Sequence, residues 1–451
     1  MSKKTWKVYR SQLENGAIMT TEETVRETEG YEENEIINVF TQICGQTWEG
    51  FGGALTESAG SVYNQMDRND QERILNDCFS ESSMGYVNLR MPIDSCDFSL
   101  GHYEAYRSDS KELDLSRVKE NLMPFFNDIR AAMGKSPSVM LSPWSPPAFM
   151  KTNGDRNHGG FLKDEYKEEW ADYICRYIIA LRQLGVDVRR LSIQNEPNAT
   201  QTWDSCIYTP QQEREFLNTY LRDALNRYGL TDSIEVFIWD HNKERLLERA
   251  CAIIDEETDD LVTGIAFHWY SGDHFDSLNL FRMMFPEKKL ILSEACIEYS
   301  KFSRDNVLFN AEKYAHDLIG NMNSGMNAFY DWNLLLDERG GPNHVGNFCD
   351  SPYMYDAKKK KLKRNIIADY LWHFAHFIRP GSVRVGTSSY TDQLETTAFV
   401  GPDETTSVVI LNRTSETLPA NIRLPKLNGE DDLSVLRIEI PARGIVTCRS
   451  E

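Results

Sequence analysis

Eight short apolar runs recur along the chain, each followed by polar residues and then by a stretch of helical character. They are WEGFGGALT (48–56), MGYVNLRMPID (84–94), SVMLSPWSPP (138–147), VRRLSIQNEP (188–197), IEVFIWDHN (234–242), VTGIAFHWY (262–270), KLILSEA (289–295) and NAFYDWNLLL (327–336). Runs of four to eight buried residues alternating with helices specify parallel strands joined by helical crossovers, and eight such units close into an α/β barrel. The intervening helices carry their own punctuation. Residues 166–185 are amphipathic, and 210–225 open with Thr209 as N-cap, Pro210 in the first turn and Gln212 as capping-box partner.

The two ends differ from the middle. From about residue 382, VVILNR, LSVLRIEI and GIVTCRS alternate apolar and polar residues between turn signals, the pattern of antiparallel sheet. Residues 1–47 hold only two short candidate strands, WKVYRSQ and EIINVFTQI, too few to stand alone. The expected architecture is therefore a (β/α)8 TIM barrel over 48–381. Beside it stands an all-β sandwich built from both chain ends, 1–47 plus 382–451.

Charge narrows the function classes. Lys and Arg number 49 against 69 Asp and Glu, a net charge of −20. Such a surface repels phosphate backbones and anionic lipid, so nucleic acid and integral membrane contact are not expected. The N-terminal residues lack an apolar signal core, and no run is long and apolar enough to span a bilayer. Nine scattered cysteines without CxxC spacing suit reduced thiols. The expectation is a cytoplasmic protein, with delivery by a specialised export route as the alternative, and with no metal and no cofactor.

Functional groups in such barrels gather at the C-terminal ends of the strands. Here those ends carry Asp94, Asp97, Trp144, Asn195, Glu196, Asp240, His241, His268, Tyr270, Glu294, Asp331, Trp332 and Asn333. Glu196 follows LSIQN and Glu294 follows LILS, so each carboxylate abuts a buried strand, a costly place unless it is hydrogen-bonded or in use. About three β/α units separate them, which sets the fourth and seventh strands facing across the mouth. Two facing carboxylates are what glycoside hydrolysis needs, one to attack the anomeric carbon and one to protonate the leaving oxygen.

Eight segments in order make the pattern specific: GFGGALTESA, NLRMPIDSCDFSLG, LSPWSPPAFMKTNG, SIQNEPNATQTWDSC, FHWYSGDHF, LILSEAC, DWNLLLDERGGPNHVGNF and HFIRPGS. Across residues 51 to about 382 the chain resembles glycoside hydrolase family 30, in its glucosylceramidase branch and closer to the bacterial members in the loop TQTWDSCIY. The resemblance implies a barrel with an appended sandwich, retention of configuration and no metal. It implies Glu196 of the NEP motif as acid/base and Glu294 of the SEA motif as nucleophile, acting on a terminal β-linked glucoside. By the same resemblance Asp97 and Trp144 bind the sugar, Asn195 meets its 2-hydroxyl, and Arg90 supports the nucleophile. Trp332 floors the pocket, and His268, Tyr270 and Asn347 are further substrate-binding or rim positions.

The alternatives within the family are β-1,6-glucan, β-xyloside or β-fucoside as substrate; outside it, a carbohydrate-binding protein without catalysis. Each residue also has an ordinary reading: an ion pair for the glutamates and Arg90, a turn former for Asp97, core aromatics for the two tryptophans and a satisfied core histidine for His268. The basic run Lys358–Lys361 with Lys363 and Arg364 reads as a solvated hairpin. For catalysis, Glu196 must hold a proton and Glu294 must be ionised, with burial favouring the first and Arg90 the second.

Overall fold

The structure is a computed structural model that describes residues 4–30, 32–427 and 434–451. Eight parallel strands close a barrel in sequential order: β1 (Gly50–Ala54), β2 (Asn88–Ile93), β3 (Ser138–Pro143), β4 (Asp187–Ser192), β5 (Glu235–Asn242), β6 (Val262–His268), β7 (Lys289–Glu294) and β8 (Ala328–Asp331). Each falls on one of the eight apolar runs, β4 beginning one residue before its run. The eighth run divides: Leu335–Asp337 leaves the barrel for a small sheet with Tyr353–Asp356 and Lys361–Arg364. The last two form a hairpin whose turn carries Lys358–Lys360 exposed, while Lys361 and Lys363 are exposed on its second strand and Arg364 is half-buried. The strand-to-strand approach at β1 requires glycine, because a Cβ on Gly52 would sit 1.9 Å from the Asn88 carbonyl oxygen.

The barrel interior is layered. At the N-terminal end Arg190 reaches Glu49, Glu235 (2.9 Å) and Tyr330 (2.6 Å), with Lys289 joined to the same two glutamates. Above this ionic floor Met140, Phe237, Ala266, Ile291, Ala328 and Tyr330 form an enclosed apolar layer. The third layer, at the C-terminal end, is polar and opens to a cavity. The predicted helices form as Lys167–Gln183 and as a helix from Pro210 whose capping box is present, Thr209 Oγ1 accepting from Gln212 N (3.1 Å).

Both chain ends enter one ten-stranded sheet that makes the sandwich. Thr5–Glu14 pairs with Gly444–Ser450, and Ile36–Thr47 lies between Val383–Ser389 and Leu418–Arg423. Trp6, Val8, Ile37 and Val39 from the front share a core with Val408, Ile410, Leu436 and Val446 from the back. The longest strand that the sequence reading did not name is Ala17–Arg26, which pairs with Thr5–Glu14 along its whole length. Its residues are mostly exposed, so it carries almost no apolar signal. The first residue of LSVLRIEI, Leu433, lies outside the described residues.

His373, on the helix Ile366–Ala375, ties barrel to sandwich. Its two ring nitrogens meet Thr447 Oγ1 (2.8 Å) and Ser11 Oγ (2.7 Å), with no exposure. Burial lowers its pKa from 6.5 to about 3. The unfolded chain therefore binds one more proton between those values, and stability present above pH 6.5 is lost as pH falls through that window. Urea unfolding from pH 8 to 4.5 is expected to show this as a slope component of up to about 1.4 kcal/mol per pH unit. His373→Gln is expected to be less stable at pH 8 but to lack that component.

Candidate active site

The strand ends are not regular, and their irregularity aims the side chains. Glu196 (φ 47°), Trp239 (φ 73°) and Asp240 (φ 51°) all have left-handed backbone, which L-residues other than glycine rarely adopt. Glu196 N donates to the Asp240 carbonyl (3.0 Å), which fixes the turn after β4 against β5. On β6 the register with β7 shifts between Phe267 and His268, so that His268 lies opposite Glu294.

Arg90 is the hub beneath the cavity floor and has no exposure. Its Nη1 donates to Glu294 Oε2 (2.7 Å), its Nη2 to Asp240 Oδ2 and Asn195 Oδ1 (2.8 Å each), and its Nε to Ser142 Oγ (3.1 Å). Asp240 accepts further from Ser192 Oγ (2.6 Å), Ser293 Oγ (2.5 Å) and His268 Nε2 (3.1 Å). Burial raises the Asp240 pKa, but Arg90, His268 and Ser192 outweigh it and hold the carboxyl well below the usual range.

Both candidate catalytic glutamates meet His268, which is wholly buried. Its Nδ1 donates to Glu196 Oε1 (3.2 Å), and its Nε2 lies 3.9 Å from Glu294 Oε2. His268, expected as a substrate-binding or rim position, lies behind the two carboxylates, because the bulge turns its ring into the barrel mouth. Burial lowers its pKa, yet Glu294, Asp240 and Glu196 raise it to about 9. The converse holds for Glu196, where burial is more than offset by His241 and by His268, leaving about 2. Burial raises Glu294 above the ordinary value against the pull of His268 and Arg90, with Glu196 adding to the rise. These directions reverse the expected ones. Physically, the proton needed on Glu196 rests on His268 Nδ1, one hydrogen bond away, while the cavity is open to water. Glu294 accepts from both Arg90 and Tyr270 OH (2.9 Å), the geometry of an anion.

A cavity of about 400 Å³ opens above this layer. Asp97, Trp144, Asn195, Glu196, Tyr270, Glu294, Trp332 and Asn347 all line it; Arg90 and His268 support it from behind. Trp144 and Trp332 stack at 5.2 Å, and the Arg90 guanidinium lies 4.8 Å from the Trp144 ring. Asp97 Oδ2 accepts from Asn343 (3.2 Å) and Asn347 (3.3 Å). Burial, then the charge of Glu294, pushes Asp97 up to about 8. Two rim carboxylates stay out: Asp94 accepts from Tyr173 OH (2.6 Å) and Asp331 from Tyr314 OH (2.7 Å), both in helix-to-strand packing. Gln201, Trp203, Cys296, Lys301 and Asn343 were not anticipated. They lie in loops after β4, β7 and β8, where no strand periodicity points to them.

Among the described residues, two groups bring three metal-ligating side chains together: Glu196, His241 and His268 in the cavity, and His102, Asp204 and His344 beyond its rim. In the first, His268 already uses both nitrogens and Glu196 is also met by Gln201 (3.3 Å), so the group is a proton network.

Comparison with known proteins agrees with this geometry. The family model described as the glycosyl hydrolase family 30 TIM-barrel domain matches residues 48–378, and that of the family 30 beta sandwich domain matches 381–448. Lysosomal acid glucosylceramidase of Mus musculus is 32% identical over 413 residues, covering 86% of this chain and 79% of that one. Endo-1,6-beta-D-glucanase of Neurospora crassa is 24% identical over 388 residues, covering 81% and 78%. The crystal structure of SrfJ from Salmonella typhimurium matches with a TM-score of 0.92 at 37% identity, covering 98% of this chain and 99% of that chain. With both domains matched and a paired-carboxylate cavity at the barrel mouth, the chain belongs to glycoside hydrolase family 30 and is a retaining β-glycosidase.

Proposed function

We propose that the enzyme removes a terminal β-linked glucosyl residue, with Glu294 as nucleophile and Glu196 as acid/base. The observation that carries the roles is the asymmetry of the two carboxylates. Glu294 is clamped from below by Arg90 and from the side by Tyr270, which orients an anion for attack. Glu196 instead touches a proton reservoir, His268 Nδ1, and a neutral amide, Gln201. In the first step a Glu294 oxygen bonds to the anomeric carbon as the C–O bond to the aglycone breaks. Substrate displaces water from the cavity, charge on Glu196 becomes costlier, and the proton crosses from His268 to Glu196 and on to the leaving oxygen. In the second step Glu196 takes a proton from water, whose oxygen attacks the same carbon and frees Glu294. Two displacements at one carbon retain its configuration.

The glucoside assignment draws on two supports. The murine relative, a glucosylceramidase by name, shares more sequence with this chain than the fungal 1,6-glucanase does. Asp97, held by Asn343 and Asn347 and protonated below about pH 8, offers a hydroxyl-reading donor and acceptor on the cavity wall. A pocket that binds hydroxyls through buried polar groups rejects epimers, which leave those groups unpaired.

Kinetics on variants tests the roles. Glu294→Ala is expected to be inactive on every substrate. Glu196→Ala is expected to give a burst with dinitrophenyl glucoside and then stall, with azide restoring turnover by replacing the activated water. The opposite behaviour of the two variants would reverse the assignment. The shared proton predicts a pH profile: the basic limb of kcat/KM belongs to the His268–Glu196 pair and is expected near pH 9. His268→Gln is expected to draw that limb toward neutrality; an unchanged limb would show that His268 does not hold the proton. A panel of gluco, galacto, xylo and fuco aryl glycosides tests the sugar. Asp97→Ala, which removes both the donor and the acceptor, is expected to lower kcat/KM for glucoside by about 5- to 150-fold and to narrow the gluco/galacto gap. A wild-type preference for xyloside or fucoside would overturn the glucoside reading.

A further inference from the structure

Beyond the catalytic cavity, three loops converge on one polar cluster. The loop after β2 carries His102, the loop after β4 carries Asp204, and the loop after β8 carries His344. Their ligating atoms all lie within 4.8 Å of one another, and the two imidazoles meet edge to face at 4.6 Å between centroids. Asp204 is buried, and its two oxygens are differently engaged. Oδ1 accepts from Arg156 Nε (2.6 Å) and Ser95 Oγ (2.8 Å), which fixes the carboxylate plane. Oδ2 faces the histidines: His102 Nδ1 at 3.1 Å and His344 Nε2 at 4.0 Å.

The tautomers are the telling feature. His344 Nδ1 approaches the Ser99 carbonyl oxygen (3.3 Å), an acceptor, so Nδ1 carries the hydrogen and Nε2 a lone pair. That lone pair is buried, has no hydrogen-bond partner, and points at a carboxylate oxygen, which is another acceptor. Two acceptors facing each other in a buried setting leave room for a cation or a bridging donor between them. A carbonyl oxygen holding the remote N–H of a ligating histidine is the usual outer-shell support of a metal site. On the other imidazole, His102 Nε2 meets Asn157 Nδ2 (3.3 Å), while Asn157 Oδ1 is buried without a partner. Turning that amide over would offer Oδ1 to a hydrogen on Nε2 and leave Nδ1 free to ligate. Arg156 does not neutralise Asp204 alone, because it is shared with Asp94 and Glu104.

We propose that His102, Asp204 and His344 form a three-ligand site for a divalent transition ion of the zinc class, which joins the loops after β2, β4 and β8 at the rim. Two imidazole nitrogens and one carboxylate oxygen suit Zn²⁺ with water in the fourth position, whereas Ca²⁺ and Mg²⁺ favour oxygen ligands. Binding displaces the proton that His102 shares with Asp204. The site would stiffen sugar recognition indirectly. His344 N donates to the Asp97 carbonyl (3.3 Å), its neighbour Asn343 holds the Asp97 carboxyl, and Trp203, next to Asp204, lines the cavity.

The test is equilibrium dialysis of the chelator-stripped full chain against ZnCl2, with CaCl2 and MgCl2 as controls, read by elemental analysis and by thermal unfolding. One zinc per chain is expected, with a rise in Tm of roughly a few degrees and no response to calcium or magnesium. His102→Asn changes a partly exposed ring and is expected to abolish both signals while retaining the zinc-free Tm. Asn157→Ala is expected to weaken zinc on the order of 10- to 100-fold, the scale of an outer-shell loss. Glu196→Gln separates the two clusters and is expected to leave stoichiometry at one. Zinc lost in Glu196→Gln but kept in His102→Asn would place the ion in the catalytic cavity and overturn the proposal. So would no binding by wild type at micromolar zinc, or equal binding by all variants.

Discussion

The buried contact of Arg90 with Asp240 and Glu294 is the interaction on which the barrel mouth depends. One cation lies between two carboxylates that have almost no access to water. Removing one partner of such a group commonly costs about 3–5 kcal/mol, because the charges left behind stay buried. The cluster holds β2, β5 and β7 at their C-terminal ends, and through Asn195 and Ser142 it reaches β4 and β3. One guanidinium on β2 thus meets three other strands and the turn that follows β4. The tryptophans that wall the cavity stack on each other above it, so the position of this aromatic wall follows from the position of a charge.

A second constraint is conformational. Non-glycine residues with left-handed backbone fall at several strand ends around this mouth: Asp94, Glu196, Trp239, Asp240 and Asn333. Each costs of order 1–3 kcal/mol and persists only where surrounding contacts over-determine it. Those contacts are visible. The Glu196 amide is tied to β5, the Trp239 amide donates to Glu213 (2.9 Å), and Asn333 accepts from Thr56 (2.6 Å). A regular strand would send its last side chains alternately into the barrel and out to the helices. The left-handed turn breaks that alternation, so that adjacent residues such as Asn195 and Glu196 both line one cavity.

How much of this was legible in the sequence depended on periodicity. The eight barrel strands were legible because each is buried on both faces and reads as a continuous apolar run. The edge strand Ala17–Arg26 was not, since its exposed TTEETVR has neither an apolar face nor a turn signal beyond Asn15-Gly16. Glu196 and Glu294 were legible as carboxylates at the ends of apolar strands. Asp240 and His241 sit in the same kind of place, yet their roles required three dimensions. Only the fold shows that Asp240 answers Arg90 from across the barrel, or that His268 lies between the glutamates. His102, Asp204 and His344 come from loops widely separated in sequence and share no ligand spacing. The resting position of the proton was hidden for a related reason: the sequence reading weighed burial and Arg90 but had no way to place a histidine against Glu196.

What sets the two proposed catalytic carboxylates apart from a structural one here is unused hydrogen-bonding capacity. A carboxylate has about four lone-pair sites. Asp240 fills them with Arg90, Ser192, Ser293 and His268, and nothing remains to meet a substrate. Glu294 receives one donor on each oxygen, from Arg90 and Tyr270, and Glu196 one on each, from His268 and Gln201. About half of the capacity of each is left, and both line the cavity. The donors they do have come from behind or beside, which fixes direction without occupying the face that reacts. The saturated Asp240 is what makes this possible. Because it binds Arg90 and His268 at once, neither can swing fully onto a glutamate and quench it, and the two glutamates keep the lone pairs that attack and proton transfer require.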